Sequence, residues 1–232
     1  MNKTLAALSL LILLSCTQPF MFRNMATTTT TTDGQTIAYN YYPGKDNMPG
    51  VILLHMLGRT KNDWNLFAEM LQKNGYHVIA IDLRGHGESF GNLATFKPTD
   101  FNNMVFDVAA AKEVLESHNA NTHKLVIIGA SIGANVALNY GAKDPDVQTV
   151  LLLSPGADYR GVKTTSAITE FTKPLFIVAS SEDDYSAKSS EDLASANTNV
   201  TLVLYKNAGH GTNMFKNKEL APTLLQWVMQ HV

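Results

Sequence analysis

The chain has 232 residues, of which 45% are hydrophobic and 16% are charged, and its formal net charge is −2. This length suits one domain with a sizeable core, and the composition is that of a globular protein rather than a disordered one. The small net charge gives no electrostatic basis for binding nucleic acid, so we expect no nucleic-acid partner.

The first residues have the pattern of an export signal. One lysine precedes an apolar stretch over residues 5–14, which is too short for a transmembrane helix but suits the core of a signal peptide. Cys16, the only cysteine, follows in "LLSC", which resembles the bacterial lipobox. That resemblance implies a signal peptide over residues 1–16 and a lipid anchor on Cys16, which would place the protein in the bacterial cell envelope. In Gram-negative cells the resemblance implies the outer membrane, because Thr17 follows the cysteine where an aspartate would indicate retention at the inner membrane. An ordinary secretory signal with an incidental cysteine, which gives a secreted or periplasmic protein, is the alternative.

Residues 17–25 are predicted to form a short tether, and one domain is expected over residues 26–232. Asp33-Gly34 is a strong turn signal between a threonine run and an alternating segment, which predicts a β-hairpin. Strands are predicted near 50–55, 77–83, 124–128, 147–153, 174–180 and 200–205, and helices near 62–74, 101–118, from 132, 186–196 and from about 217. This alternation predicts an α/β fold with a mostly parallel sheet, whose ligand site lies beyond the carboxyl ends of the strands.

The segment "GASIG", residues 129–133, joins a predicted strand to a predicted helix. A chain that turns directly from strand to helix passes through a tight corner, where flanking glycines avoid clashes and the central hydroxyl is presented. Ser131 is therefore a candidate nucleophile. Close packing of helix on sheet would also select small residues, so the motif needs partners elsewhere in the chain.

A serine nucleophile needs a base, and the base needs an acid to orient it. Three of the seven histidines, His55, His86 and His210, follow predicted strands. His210 lies between two glycines after the last strand, where the loop can bend back towards Ser131. The preceding strand ends in the acidic run 182–184, and the order serine, acid, histidine is the one that this architecture requires.

An oxyanion needs two backbone N–H donors. The first is expected at Ile132, directly after the nucleophile and at the start of a helix. The second is expected in the loop "HMLGRT", from Met56 or Leu57.

Together these segments resemble the α/β-hydrolase family. The matching segments are "LLHMLGRTKNDW", "IDLRGHGES", "GASIG", "ASSEDD" and "NAGHG", in the order that the family has them. The resemblance implies a central sheet of about eight strands, a triad of Ser131, Asp184 and His210 with Asp183 as the alternative acid, and Leu57 as the second oxyanion donor. The sequence contains no dinucleotide or phosphate-loop motif and no metal-ligand spacing, so no cofactor and no metal are expected.

The segment between the strands at 147–153 and 174–180 is only about twenty residues long. It leaves no room for a large lid domain, so we expect an open site. The prediction is a serine esterase for small-molecule esters with short or medium acyl chains. A thioesterase, a lysophospholipase, a peptidase or a non-catalytic binding protein on the same fold are the alternatives. The sequence does not predict the oligomeric state.

Overall fold

The computed structural model describes residues 26–232. The predicted signal peptide, Cys16 and the tether at 17–25 lie outside the described residues. The strands are β1 (Thr28–Thr30), β2 (Thr36–Tyr42), β3 (Pro49–Leu54), β4 (His77–Ile81), β5 (Asn121–Ala130), β6 (Val147–Leu153), β7 (Asp158–Tyr159), β8 (Val162–Lys163), β9 (Leu175–Ser180) and β10 (Val200–Tyr205). The α-helices are α1 (Asn65–Lys73), α2 (Pro98–Asn102), α3 (Met104–Ser117), α4 (Ile132–Gly141), α5 (Thr165–Glu170), α6 (Asp184–Ala196) and α7 (Leu220–His231), and 3-10 turns occur at Lys61–Trp64, Leu93–Thr95 and Gly211–Lys216.

Eight strands form one sheet in the order β1-β2-β4-β3-β5-β6-β9-β10. The pairs β1–β2 and β2–β4 are antiparallel, and all the remaining pairs of this sheet are parallel. The carboxyl ends of β3, β5, β9 and β10 therefore meet at one edge. This arrangement confirms the predicted mostly parallel sheet of about eight strands with the α/β-hydrolase fold.

The sheet is buried on both faces, which explains its apolar strands. Along β3, Ile52 and Leu54 face one apolar core, which includes residues of α3, α4 and α6, whereas Val51 and Leu53 face a second core, which includes residues of α1 and α7. All six residues of β3 are buried. A strand of this kind cannot shift its register by one residue without exchanging the side chains of the two cores.

The N-terminal hairpin forms as predicted, with Thr28 opposite Ala38 in the antiparallel pair. Residues 154–173 form the two-stranded hairpin β7–β8 and the six-residue helix α5, so no lid domain is present in the described part of the chain. No helix among residues 26–232 is long and apolar enough to cross a membrane.

Candidate active site

Ser131 lies at the corner between β5 and α4, at the carboxyl end of a central strand. Its φ of 54° and ψ of −120° are strained for a residue with a side chain. The flanking glycines are required by close contacts. A Cβ on Gly129 would lie 2.2 Å from the carbonyl oxygen of Gly133, and a Cβ on Gly133 would lie 2.5 Å from that of His55. The corner therefore holds Ser131 at the start of α4, next to the loop that follows β3.

His210 and Asp183 are joined by a short hydrogen bond. His210 Nδ1 lies 2.5 Å from Asp183 Oδ2, and the two side chains are 35% and 21% exposed. Because an ionised carboxylate can only accept hydrogen bonds, Nδ1 carries the proton and Nε2 is the basic nitrogen. This is the arrangement that a base and its orienting acid require.

The prediction of Asp184 as the partner of His210 is corrected to the alternative, Asp183. Strand β9 ends at Ser180, and Asp183 lies three residues beyond this end, in the turn before α6. The N–H of Asp183 donates to the carbonyl of Ser180 at 3.0 Å, which closes the turn. Asp184 is instead the first residue of α6, and it is exposed.

The turn after β9 and the loop after β10 are tied together by Glu182. One carboxylate oxygen of Glu182 accepts the N–H of Asn207 at 2.6 Å and the hydroxyl of Ser180 at 2.9 Å. The hydroxyl oxygen of Ser180 also accepts the N–H of Ala208 at 2.9 Å. The pKa of Glu182 lies below its usual value, and the hydrogen bond from the N–H of Asn207 is the largest cause of this shift. These bonds fix the loop that carries His210 against the turn that carries Asp183.

The chain beyond His210 is fixed by residues from distant parts of the sequence. The hydroxyl of Thr212 donates to Asp63 Oδ2 at 2.7 Å, across a separation of 149 residues. The N–H of Gly211 donates to Ser154 Oγ at 2.9 Å. The loop is therefore fixed both before and after His210.

His55 fixes the direction of the peptide group between Met56 and Leu57. Its Nε2 accepts the N–H of Leu83 at 3.0 Å, so Nδ1 carries the proton and donates to the carbonyl of Met56 at 2.8 Å. Because this peptide bond is trans, the N–H of Leu57 points away from that carbonyl. Within the described part of the chain, the N–H groups of Leu57 and Ile132 have no protein acceptor. Both predicted oxyanion donors are therefore free to donate.

Burial keeps the other strand-end histidines neutral. It lowers the pKa of His55 to about 4, and it also lowers the pKa of His86, whose ring meets that of His55 edge-on at 4.8 Å. Neither ring is bonded to a carboxylate, whereas the ring of His210 is. The structure therefore distinguishes His210 from the two histidines that serve as fixed hydrogen-bonding groups.

Two side chains near His210 were not indicated by the sequence. The hydroxyl of Tyr159 lies 2.9 Å from Ser186 Oγ, which lies 3.5 Å from His210 Nδ1. Burial raises the pKa of Tyr159, and the hydrogen bond with Ser186 opposes this rise. Tyr159 belongs to β7, in a segment whose only sequence signal was its shortness, and no motif marks Ser186.

A cavity of about 550 Å³ adjoins the loop that carries Leu57. Leu57, Phe96 and Phe101 contribute apolar surface, and Asn92 and Arg160 contribute the polar groups. The lining contains no carboxylate, and no group of three or more His, Cys, Asp or Glu side chains in residues 26–232 is placed to hold a metal ion. The volume and the mixture of apolar and polar groups suit a small organic molecule.

Part of this chain is similar in sequence to known proteins. The chain is 27% identical to monoacylglycerol lipase abhd6-B of Xenopus laevis over 140 residues, which are 60% of this chain and 38% of that protein. It is 34% identical to a non-heme chloroperoxidase of Streptomyces lividans over 116 residues, 50% of this chain and 39% of that protein. The matches thus span about two fifths of the length of each of these relatives.

Among solved structures, an esterase from Exiguobacterium antarcticum superposes with a TM-score of 0.72 at 16% identity, covering 88% of this chain and all of the other. At this identity the likeness is one of fold. The family model described as serine aminopeptidase, S33, matches residues 47–169, more than half of the chain, and this range contains Leu57, Ser131 and Ile132 but ends before Asp183 and His210. The chain belongs to this family of α/β-hydrolase-fold proteins.

Proposed function

We propose that this protein is a serine hydrolase that cleaves carboxylic esters with short or medium acyl chains through an acyl-enzyme on Ser131. The observation that carries the proposal is the bond between His210 Nδ1 and Asp183, which leaves a basic nitrogen on a loop fixed near a strained serine corner. The free N–H groups of Leu57 and Ile132 support it.

In the proposed reaction, His210 Nε2 takes the proton of Ser131 as Oγ attacks the ester carbonyl. The oxyanion accepts hydrogen bonds from the N–H groups of Ile132 and Leu57. The imidazolium, stabilised by Asp183, then protonates the leaving alcohol, and a water molecule releases the acid from Ser131 by the same steps. No direct hydrogen bond joins Ser131 and His210 among the described residues, and such bonds often form only when substrate is bound.

The preference for short or medium chains rests on the region above the site. The hairpin β7–β8 and helix α5 occupy the place where a lid domain would stand, and they provide little apolar enclosure for a long acyl chain. Two of the similar proteins are a monoacylglycerol lipase and an esterase, and this similarity supports ester hydrolysis.

An aminopeptidase, the activity in the family description, is the second candidate. Such an enzyme must bind the ammonium group of its substrate, and carboxylates are the usual partners for that charge. The cavity beside Leu57 is lined by Arg160 and by no carboxylate, which favours an ester over a peptide with a free amino terminus.

The test is hydrolysis of p-nitrophenyl acetate, butyrate and palmitate by the purified protein and by Ser131→Ala. We expect turnover of the two short esters that is lost in the variant. Equal rates in both proteins, or faster cleavage of palmitate than butyrate, would contradict the proposal. L-Alanine p-nitroanilide, tested in parallel, distinguishes an aminopeptidase.

The identity of the acid is tested by a matched pair of neighbouring carboxylates. We expect Asp183→Asn to lower kcat by about 10⁴-fold, because the His210 tautomer is then no longer fixed. Asp184→Asn should retain kcat, because Asp184 is exposed on α6. A larger loss in Asp184→Asn would assign the role to that residue.

We also propose that Cys16 carries a lipid anchor and that the protein acts at the bacterial cell envelope. The sequence "LLSC" supports this proposal. Expression in a bacterial host with radiolabelled palmitate should label the full chain but not Cys16→Ser. A wild-type chain without label would leave an ordinary secretory signal as the explanation.

A further inference from the structure

The tip of the hairpin β7–β8 has an unusual residue for its backbone conformation. The connection between Tyr159 and Val162 is the two-residue turn Arg160-Gly161, and the φ angles of its residues are 56° and 88°. Hairpin turns with positive φ at both central residues strongly favour Asn-Gly, Asp-Gly or Gly-Gly. An arginine at the first position is strained, because its Cβ disfavours the left-handed region.

The surroundings of the turn hold this strained conformation in place. Asp158 Oδ1 accepts the N–H of Gly161 at 2.7 Å. The hydroxyl of Tyr185 accepts the N–H of Asp158 at 2.9 Å and donates to its carbonyl at 2.9 Å. Strained residues that their surroundings hold in place cluster at functional sites, so the side chain of Arg160 is a candidate for a function.

The side chain of Arg160 lines the same cavity as Leu57, whose N–H is a free donor. It is the only charged residue of that lining, since the others are Asn92 and apolar residues. Arg84 is held by two carboxylates, but no ion pair within residues 26–232 includes Arg160. An exposed guanidinium without an ion-pair partner in the described residues thus lies at a cavity beside the proposed oxyanion donor.

We propose that Arg160 selects esters that carry a carboxylate. The guanidinium would accept this group in a two-point hydrogen-bonded pair while the scissile carbonyl lies against Leu57 and Ile132. The selection concerns the substrate and not the acyl transfer itself, so neutral esters are still cleaved. This inference rests on the proposed function, because it concerns the substrate of the same site.

The test compares charged and neutral ester pairs in the full chain. 4-Nitrophenyl hydrogen adipate and its methyl ester differ by a charge on the acyl part, and 4-carboxyphenyl and 4-carbamoylphenyl butyrate differ by a charge on the alcohol part. We expect the wild type to favour the charged member of at least one pair, and the pair that responds identifies the part that Arg160 contacts. In Arg160→Asn the ratio of kcat/KM for charged over neutral ester should fall about fivefold. In the wild type, 0.5 M NaCl should lower the same ratio.

Asparagine is the matched substitution because it suits the turn better than arginine does. Arg160→Asn should therefore melt at the same or a higher temperature, which separates loss of charge from loss of fold. Arg160→Lys should retain part of the ratio, because it keeps the charge without the planar fork. If the charged and neutral esters of both pairs keep their wild-type ratio in Arg160→Asn, the inference is wrong while the proposed function stands. If the wild type cleaves none of the four esters, the proposed function is wrong and the inference falls with it.

Discussion

The two nitrogens of the His55 ring have separate tasks, and two substitutions can separate them. In His55→Asn the amide nitrogen reaches the position of Nδ1 and can still donate to the carbonyl of Met56, but nothing accepts the N–H of Leu83. In His55→Gln the amide oxygen reaches the position of Nε2 and can accept from Leu83, but the carbonyl of Met56 is released. One variant keeps the Met56–Leu57 peptide in place, and the other frees it.

The expected magnitudes follow from the same hydrogen bonds. Each variant leaves one buried backbone group without a partner, so each should lose about 1–3 kcal/mol of unfolding free energy. Only His55→Gln allows the N–H of Leu57 to turn away from the oxyanion, and the loss of one such donor lowers kcat by about 10²–10³-fold. His55→Asn should therefore keep most of its kcat at a similar stability.

The assay is kcat on p-nitrophenyl butyrate, together with urea unfolding of each variant. Stability is measured so that the loss of kcat in His55→Gln is not attributed to unfolding. Equal losses of kcat in both variants, or a larger loss in His55→Asn, would refute the argument that the Met56 carbonyl determines the direction of the Leu57 N–H.

Three further predictions concern Tyr159, Arg84 and the pH dependence of stability. Tyr159→Phe removes the hydroxyl that bonds to Ser186. Steady-state kinetics should show a loss of about fivefold in kcat, which corresponds to the free energy of one neutral hydrogen bond. An unchanged kcat would mean that Tyr159 contributes only packing. Arg84→Gln leaves Asp107 without its buried cation and should cost about 3–5 kcal/mol in urea unfolding, whereas a cost below about 1 kcal/mol would show that the pair is not important for stability. Burial lowers the pKa of His55 to about 4 in the folded chain, against about 6.5 in the unfolded chain. The contribution of neutral His55 to the unfolding free energy should therefore be fully present above pH 6.5 and should fall by up to about 3 kcal/mol as the pH drops towards 4. His55→Asn should show a shallower decline in urea unfolding, and an equal decline would assign the effect to other groups.

The fold could be predicted because its signals are local and repeated. Buried strands read as apolar runs, and the glycines of "GASIG" and the turn at Asp33-Gly34 mark corners that few other residues allow. The carboxylate that pairs with His210 was harder to predict, because neighbouring carboxylates point in different directions and these directions depend on where β9 ends. A shift of one residue exchanged Asp183 for Asp184.

The remaining parts of the site depend on tertiary contacts that no local pattern shows. Tyr159 and Ser186 meet near His210 from two segments that are separate in the sequence, and neither belongs to a motif. The role of His55 was not visible either, because the sequence shows a histidine at a strand end but not which backbone groups its two nitrogens contact.

The bond between Thr212 and Asp63 has a consequence for the time at which the site can form. During synthesis, the strand corner with Ser131 leaves the ribosome well before the segment with His210. The position of that segment depends on Asp63, which is synthesised much earlier. A nascent chain therefore contains Ser131 before it contains His210, and the proposed hydrolytic activity should be absent until the last strand of the sheet has docked.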